Sequence, residues 1–327
     1  MNTPFSRRQA LAALGATVAA PWARAQSKWP TKPIRIVVPF GAGGVADLTA
    51  RAVGQKLAEQ MGQAFVIDNR PGAGGIAGGS VVSQAHPDGY TLLLMSNGTA
   101  VSEGLFARLP FDARKDFAPI SLLGTFDLAV VVPQNSRFKT LSELLAEAKA
   151  HPGKLNIATI AVGSTQNLAA ELFKTTAGIQ AQVVPFNGTP AVITALRGGQ
   201  VDAAVEILAP LKSQIDSKAL RALATFGEKR ALGLPDVPTA AEAGGALQGL
   251  HIASWNALAA PAKTPPEVVE RLNHECQLAL ASPELRKKLA DLSVEAKSST
   301  PQQLAELLAS EIQRWSGVIE RAKIPRM

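Results

Sequence analysis

Residues 34–57 read IRIVVPFGAGGVADLTARAVGQKL, and this stretch decides the fold. Ile34 to Val38 form an apolar, β-branched run that Pro39 stops. Gly41-Ala42-Gly43-Gly44-Val45-Ala46 then fits G-x-G-x-x-A and opens a helical pattern. A glycine turn between a strand and a helix points backbone N–H groups outward at the positive end of the helix dipole. That geometry suits a pyrophosphate or a carboxylate alike. Asp68, closing the next apolar run AFVID, stands near where a ribose-binding acid falls in a dinucleotide fold. Asp47 argues the other way, because a fixed negative charge in the first helical turn repels a pyrophosphate. A helix-stabilising role explains Asp47 as well as a ligand contact does.

Outward from this stretch, short β-branched runs alternate with amphipathic helical patterns, which predicts an α/β architecture. Strands are expected at residues 34–38, 64–68, 91–95, 128–132, 156–158, 182–185 and 203–207. Thr140 with Glu143 predicts a capping box, and Thr264-Pro265-Pro266-Glu267 and Thr300-Pro301-Gln302-Gln303 predict capped helix starts with proline in the first turn. Leu304, Leu307, Leu308, Ile312, Trp315 and Ile319 share one face of the last helix, as core packing does. The motif VVPF at Val37–Phe40 returns at Val183–Phe186, each time before a glycine loop, an echo that would give each lobe one strand-end loop at a shared cleft.

The N-terminus carries the layout of a secretory signal: Ser6-Arg7-Arg8, a small and apolar run from Ala10 to Ala20, then Ala23-Arg24-Ala25 as a cleavage site. Export through the Sec or twin-arginine route is therefore expected, with residues 1–25 removed and a periplasmic destination. Their removal takes away three arginines and no acid, so the formal charge of +7 falls by three. The remaining basic residues are scattered, so no nucleic-acid footprint is expected. One cysteine, Cys276, excludes an intrachain disulfide and a multi-cysteine metal cage; it falls on an apolar helix face, where a thiol is inert. His86, His151, His251 and His274 lack metal-binding spacing. With no nucleophile elbow and no triad, neither catalysis nor a metal or cofactor is expected. Binding without chemistry is the better reading.

The ordered segments WPTKPIRIVVPFGAGGVADLTAR, VIDNRPGAGGIAGG, HPDGYTLL, GSTQNLAAELF, LPDVPTAAEAG and APAKTPPEVVERLN resemble the extracytoplasmic receptors of tripartite tricarboxylate transporters, the Bug-type solute-binding proteins. The resemblance runs from about Trp29 to the C-terminus. It implies a type II periplasmic-binding-protein fold, two α/β lobes joined by two hinge strands. Lobe 1 would take residues 27–124 plus 254–327 and lobe 2 residues 125–253. It further implies a monomer that captures a small carboxylate on backbone amides and ordered waters. Its partners would be the membrane components of such a transporter, or a sensor. The alternative is a nucleotide-dependent oxidoreductase using the glycine loop.

Carried onto this chain, the implied ligand-binding residues of lobe 1 are Phe40, Ala42, Gly43, Gly44 and Asp47, with Ser96, Asn97, Gly98 and Thr99. Those of lobe 2 are Gly163, Ser164, Thr165 and Asn167, then Phe186, Asn187, Gly188 and Thr189, and Glu206. The chain departs from the family at several of them. Phe186-Asn187-Gly188 replaces the usual tyrosine-lysine-glycine, Asn167 stands where histidine is common, and Glu206 where aspartate or another cleft-facing residue is usual.

Overall fold

A computed structural model of the chain describes residues 29–231 and 233–327. The export signal expected at residues 1–25 lies outside them. Residues 32–327 form one unit. Its first half runs β1 (Ile34–Val38), α1 (Val45–Met61), β2 (Phe65–Asn69), α2 (Ile76–Ser83), β3 (Thr91–Ser96) and α3 (Asn97–Leu105). β1 pairs in parallel with both β2 and β3. Ile34, Ile36, Val37 and Val38 are all fully buried, the continuous burial of a parallel strand covered by helices on both faces.

A long strand, β4 (Phe117–Pro133), leads to the second half: α4 (Leu141–Ala150), β5 (Leu155–Ile160), α5 (Thr165–Ala177), β6 (Ala181–Phe186), α6 (Thr189–Arg197), β7 (Ala203–Ile207), α7 (Leu208–Asp216) and β8 (Leu220–Thr225). The chain returns through β9 (Ala253–Pro261) and ends in α8 (Pro266–Ala281), α9 (Pro283–Asp291), β10 (Glu295–Ala296) and α10 (Pro301–Arg321). The sheet order β2-β1-β3-β9-β4-β7-β5-β6 reads the same from either end: a parallel β-α-β-α-β triplet on each side of the β9–β4 pair. In each triplet the first strand is central, β1 on one side and β5 on the other. The counterpart of β1 is therefore β5. The VVPF echo pairs β1 with β6, an edge strand where Pro185 costs no ladder bond, and does not mark equivalent loops.

β4 changes partners midway. Residues up to Asp127 pair with β9, Leu128 onward with β7, and Ala129 onward also with β8. Because β9 is antiparallel to both β3 and β4, β3 runs the same way as β4, while β7 runs against it. The carboxyl end of β3 lies level with Gly124, through the pairs Ser96–Asn256 and Asn256–Gly124. That of β7 lies level with Leu128, its partner at Ile207. The two carboxyl edges thus face each other along β4, and four residues of strand put them about 13 Å apart.

Helix starts follow the local chemistry in two of three cases. Reciprocal capping boxes close at Thr140 with Glu143 and at Thr300 with Gln303. At α8 the helix begins one residue later than expected: Pro265 is the N-cap, and the buried Thr264 hydroxyl makes no hydrogen bond among the described residues. Cys276 is fully buried, and burial pushes its thiol up to about 12, leaving it protonated.

Candidate functional site

The loop after β1 is held open by a latch. Gly43, at φ +84°, donates its N–H to Asp47 Oδ2 at 2.9 Å, four residues on in the first turn of α1. Asn69, at the end of β2, donates to Asp47 Oδ1 and to the carbonyl of Phe40, both at 3.0 Å. Arg51 completes the set with an ion pair to Asp47 at 3.0 Å. Burial raises the Asp47 carboxyl, yet the bonds from Arg51, Gly43 and Asn69 together outweigh it and hold the group below its usual range. Asp47 is thus a buried, charge-balanced brace rather than a free anion. Residues 40–44 stay exposed. The helix start leaves the N–H groups of Val45 and Ala46 without intrahelical partners.

The second lobe-1 loop is the start of α3. Ser96 Oγ accepts from Gly98 N–H at 3.2 Å, and Thr99 Oγ1 accepts from Ser96 N–H at 3.3 Å. A β-carbon on Gly98 would lie 3.7 Å from Phe40 Cζ, so this loop adjoins the glycine loop. Asn97 is fully buried; its Oδ1 accepts from Trp315 Nε1 at 2.9 Å while its Nδ2 has no partner among the described residues. Beside Ser96 in the ladder sits Asn256, 1% exposed, with neither amide atom bonded among the described residues. A pair of buried, uncommitted amides is costly unless something else satisfies them. Sequence reasoning missed Asn256; the only signal was a polar residue inside the apolar run ASWNALAAP.

The second half repeats the latch. Gly163, at φ +77°, donates its N–H to Asn167 Oδ1 at 3.1 Å, again four residues on, and Ser164 Oγ accepts from Asn167 N–H at 3.1 Å. Thr165 opens α5 directly behind this cap. Gly43 and Asp47 therefore correspond to Gly163 and Asn167, the true internal echo. A β-carbon at Gly163 would come within 2.1 Å of Leu105 Cδ2 at the end of α3, so the second-half loop abuts the first half there.

The remaining second-half residues gather on Glu206. It is fully buried, and its carboxylate accepts from Gln166 Nε2 at 2.6 Å, Ile207 N–H at 2.8 Å and Thr189 Oγ1 at 2.9 Å. Burial pushes this carboxyl up, against the lowering effect of those three bonds. Gly188 is the N-cap of α6 at φ +88°, and its N–H donates to the carbonyl of Phe186 at 3.0 Å. Asn187 is exposed at the tip of this loop.

The expected residues thus form two groups, one at each facing carboxyl edge, joined by contact at Leu105 and Gly163. The dinucleotide alternative loses support: the Gly43 N–H is already taken by the buried Asp47 carboxylate, whose negative charge stands directly behind the loop. Among the described residues, no group of three or more His, Cys, Asp or Glu could hold a metal ion.

Comparison with known proteins agrees with this arrangement. The profile of the tripartite tricarboxylate transporter family receptor matches residues 49–324. A protein from Pseudomonas sp. strain P51, described as lying in the tcbD-tcbE intergenic region, is 37% identical over 96% of this chain and 94% of its own. The structure of R. palustris Rpa4515 with adipate superposes with a TM-score of 0.82 at 33% identity, covering 91% of this chain and 100% of that one. The periplasmic binding protein BugD gives 0.79 at 28% identity, covering 91% of this chain and 100% of its own. Two α/β halves joined by two crossing strands are the fold these binding proteins share, and the chain belongs to the tripartite tricarboxylate transporter receptor family.

Proposed function

We propose that this chain is an extracytoplasmic solute-binding protein and not an enzyme. It captures a small carboxylate between its halves and delivers it to the membrane components of a tripartite tricarboxylate-type transporter, or to a sensor. The observation that carries this reading is the facing of the two carboxyl edges along β4, about 13 Å apart, a gap suited to a small organic acid. Open α/β sheets take their ligands outside the carboxyl ends of the strands. On the lobe-1 side, the free amides at the start of α1, with the capped start of α3 beside them, provide donors for one carboxylate. The uncommitted Asn256 and Asn97 amides lie beside them.

Lobe 1 is assigned residues 27–124 plus 254–327, of which 27 and 28 lie outside the described residues, and lobe 2 residues 125–253. The partner switch of β4 and the return of β9 near these limits support that division. Hinge closure over the ligand follows from two lobes with two connections. Export, with removal of residues 1–25, would bring the chain to the compartment in which BugD is described. The test is thermal unfolding with a panel of carboxylates and nicotinamide cofactors. A ligand at 100 times its dissociation constant stabilises by about 2.7 kcal/mol. Stabilisation by a carboxylate is expected; stabilisation by a nicotinamide cofactor alone would overturn the reading.

A further inference from the structure

We propose that Glu206 sets the ligand class, selecting carboxylates whose far end is neutral or cationic over dicarboxylates. The inference rests on the carboxylate-receptor reading and concerns the lobe-2 end of the same cleft. The two lobes each bury one carboxylate at the strand edge, but their charges are handled differently. Asp47 is paired with Arg51 at 3.0 Å, so lobe 1 keeps the Val45 and Ala46 amides for an incoming anion. Glu206 accepts only from neutral donors, Gln166, Thr189 and the Ile207 amide, and no lysine or arginine occurs among residues 160–167, 185–190 or 203–208. These donors come from the first turn of α5, the first residue of α6 and the end of β7. Glu206 thus supplies, from within the chain, the negative charge that the helix starts of lobe 2 would otherwise draw from a ligand. A second ligand carboxylate arriving here meets a like charge, with no lysine or arginine in these loops to pair with it, in a low-dielectric setting where repulsion is strong. A neutral or cationic far end meets no such repulsion.

The experiment is calorimetric titration of hexanoate, adipate and 6-aminohexanoate, with their shorter and longer homologues, into the wild-type chain and into Glu206→Gln. The quantity read is the affinity ratio of each diacid to the monoacid of equal length, from which any inactive fraction cancels. The wild type is expected to favour the monoacid or the amino acid, and Glu206→Gln to raise the diacid ratio by roughly tenfold or more. Gln166→Lys, which sets a cation beside Glu206, is expected to raise it independently. A wild-type preference for diacids, or a ratio unmoved in both variants, overturns the proposal and leaves the carboxylate reading intact. Failure of every acid in every series to bind would overturn that reading and this proposal together.

Discussion

Gly43 donates its backbone N–H to the Asp47 carboxylate at 2.9 Å, and this bond fixes the shape of the exposed glycine loop. Asp47→Ala removes the acceptor for Gly43, Asn69 and Arg51 at once and is expected to cost about 1–3 kcal/mol of stability. Gly43→Ala forces a side chain to φ +84° and is expected to cost about 1–2 kcal/mol. Gly44 sits at φ −80°, and an added β-carbon would meet only the Gly41 carbonyl at 3.8 Å. Gly44→Ala should therefore unfold like the wild type, and any loss of ligand affinity in that variant reports direct approach to the loop. Chemical denaturation and calorimetry on the three variants separate these effects.

Asp127 lies where β4 leaves β9 for β7, with Gly227 against its carboxylate and Glu295 nearby. Burial, then the charge of Glu295, raises its carboxyl from 3.8 to about 6. A raised folded-state value means stability that is complete below pH 3.8 and is lost as pH rises through about 6. Asp127→Asn is thus expected to stabilise the chain at pH 8 by at most about 3 kcal/mol and to leave it unchanged near pH 3.5. Denaturation curves at the two pH values check this; equal effects at both would refute the burial account.

The contact between Gly163 and Leu105 joins the halves. Gly163→Ala would place its β-carbon 2.1 Å from Leu105 Cδ2, at an unfavourable φ of +77°. A loss of about 1–3 kcal/mol is expected, only part of it recovered when Leu105→Ala is added, because the backbone strain remains. A double-mutant cycle measures the recovered part. No coupling between the sites would mean the halves do not touch there.

Asn256→Leu keeps the approximate volume while removing two buried, unbonded polar atoms. The ligand-free chain is expected to gain about 1–3 kcal/mol, and ligand affinity to fall about tenfold if the amide meets the ligand. Greater stability with unchanged affinity would remove Asn256 from the site.

Much of the fold was legible in the sequence because parallel strands covered on both faces are continuous apolar runs. β1 and β7 appear with the expected limits, Ile34–Val38 and Ala203–Ile207. β4 was seen only from residue 128, since Pro119 and Gly124 interrupt its first part, and both stand beside register shifts against β9. β9 is absent from the expected strands, its polar Ser254 and Asn256 masking a buried strand. The glycine loop was legible as an anion site, but the latch was not: hydrogen bonds from Gly43 to Asp47 and from Gly163 to Asn167 depend on positive φ, which letters do not reveal. The VVPF echo marks loops that are not topological equivalents, because strand-ending prolines look alike, whereas Gly-Gly-Val-Ala-Asp and Gly-Ser-Thr-Gln-Asn, which are equivalent, share only their geometry.

Closure of the lobes is expected to reduce the radius of gyration when a tight carboxylate is added, readable by small-angle scattering. An unchanged profile at saturation would mean the halves are rigidly docked through contacts such as Leu105 with Gly163.

The most direct test of the cleft is a crystal structure of the chain with the carboxylate that stabilises it most. The account predicts carboxylate oxygens about 3 Å from N–H groups among residues 44–46 and 97–99. It also predicts that the far end of the ligand points toward Gln166, Thr189 and Asn167. A ligand bound outside the gap between the carboxyl edges of β3 and β7, touching neither group of loops, would contradict it.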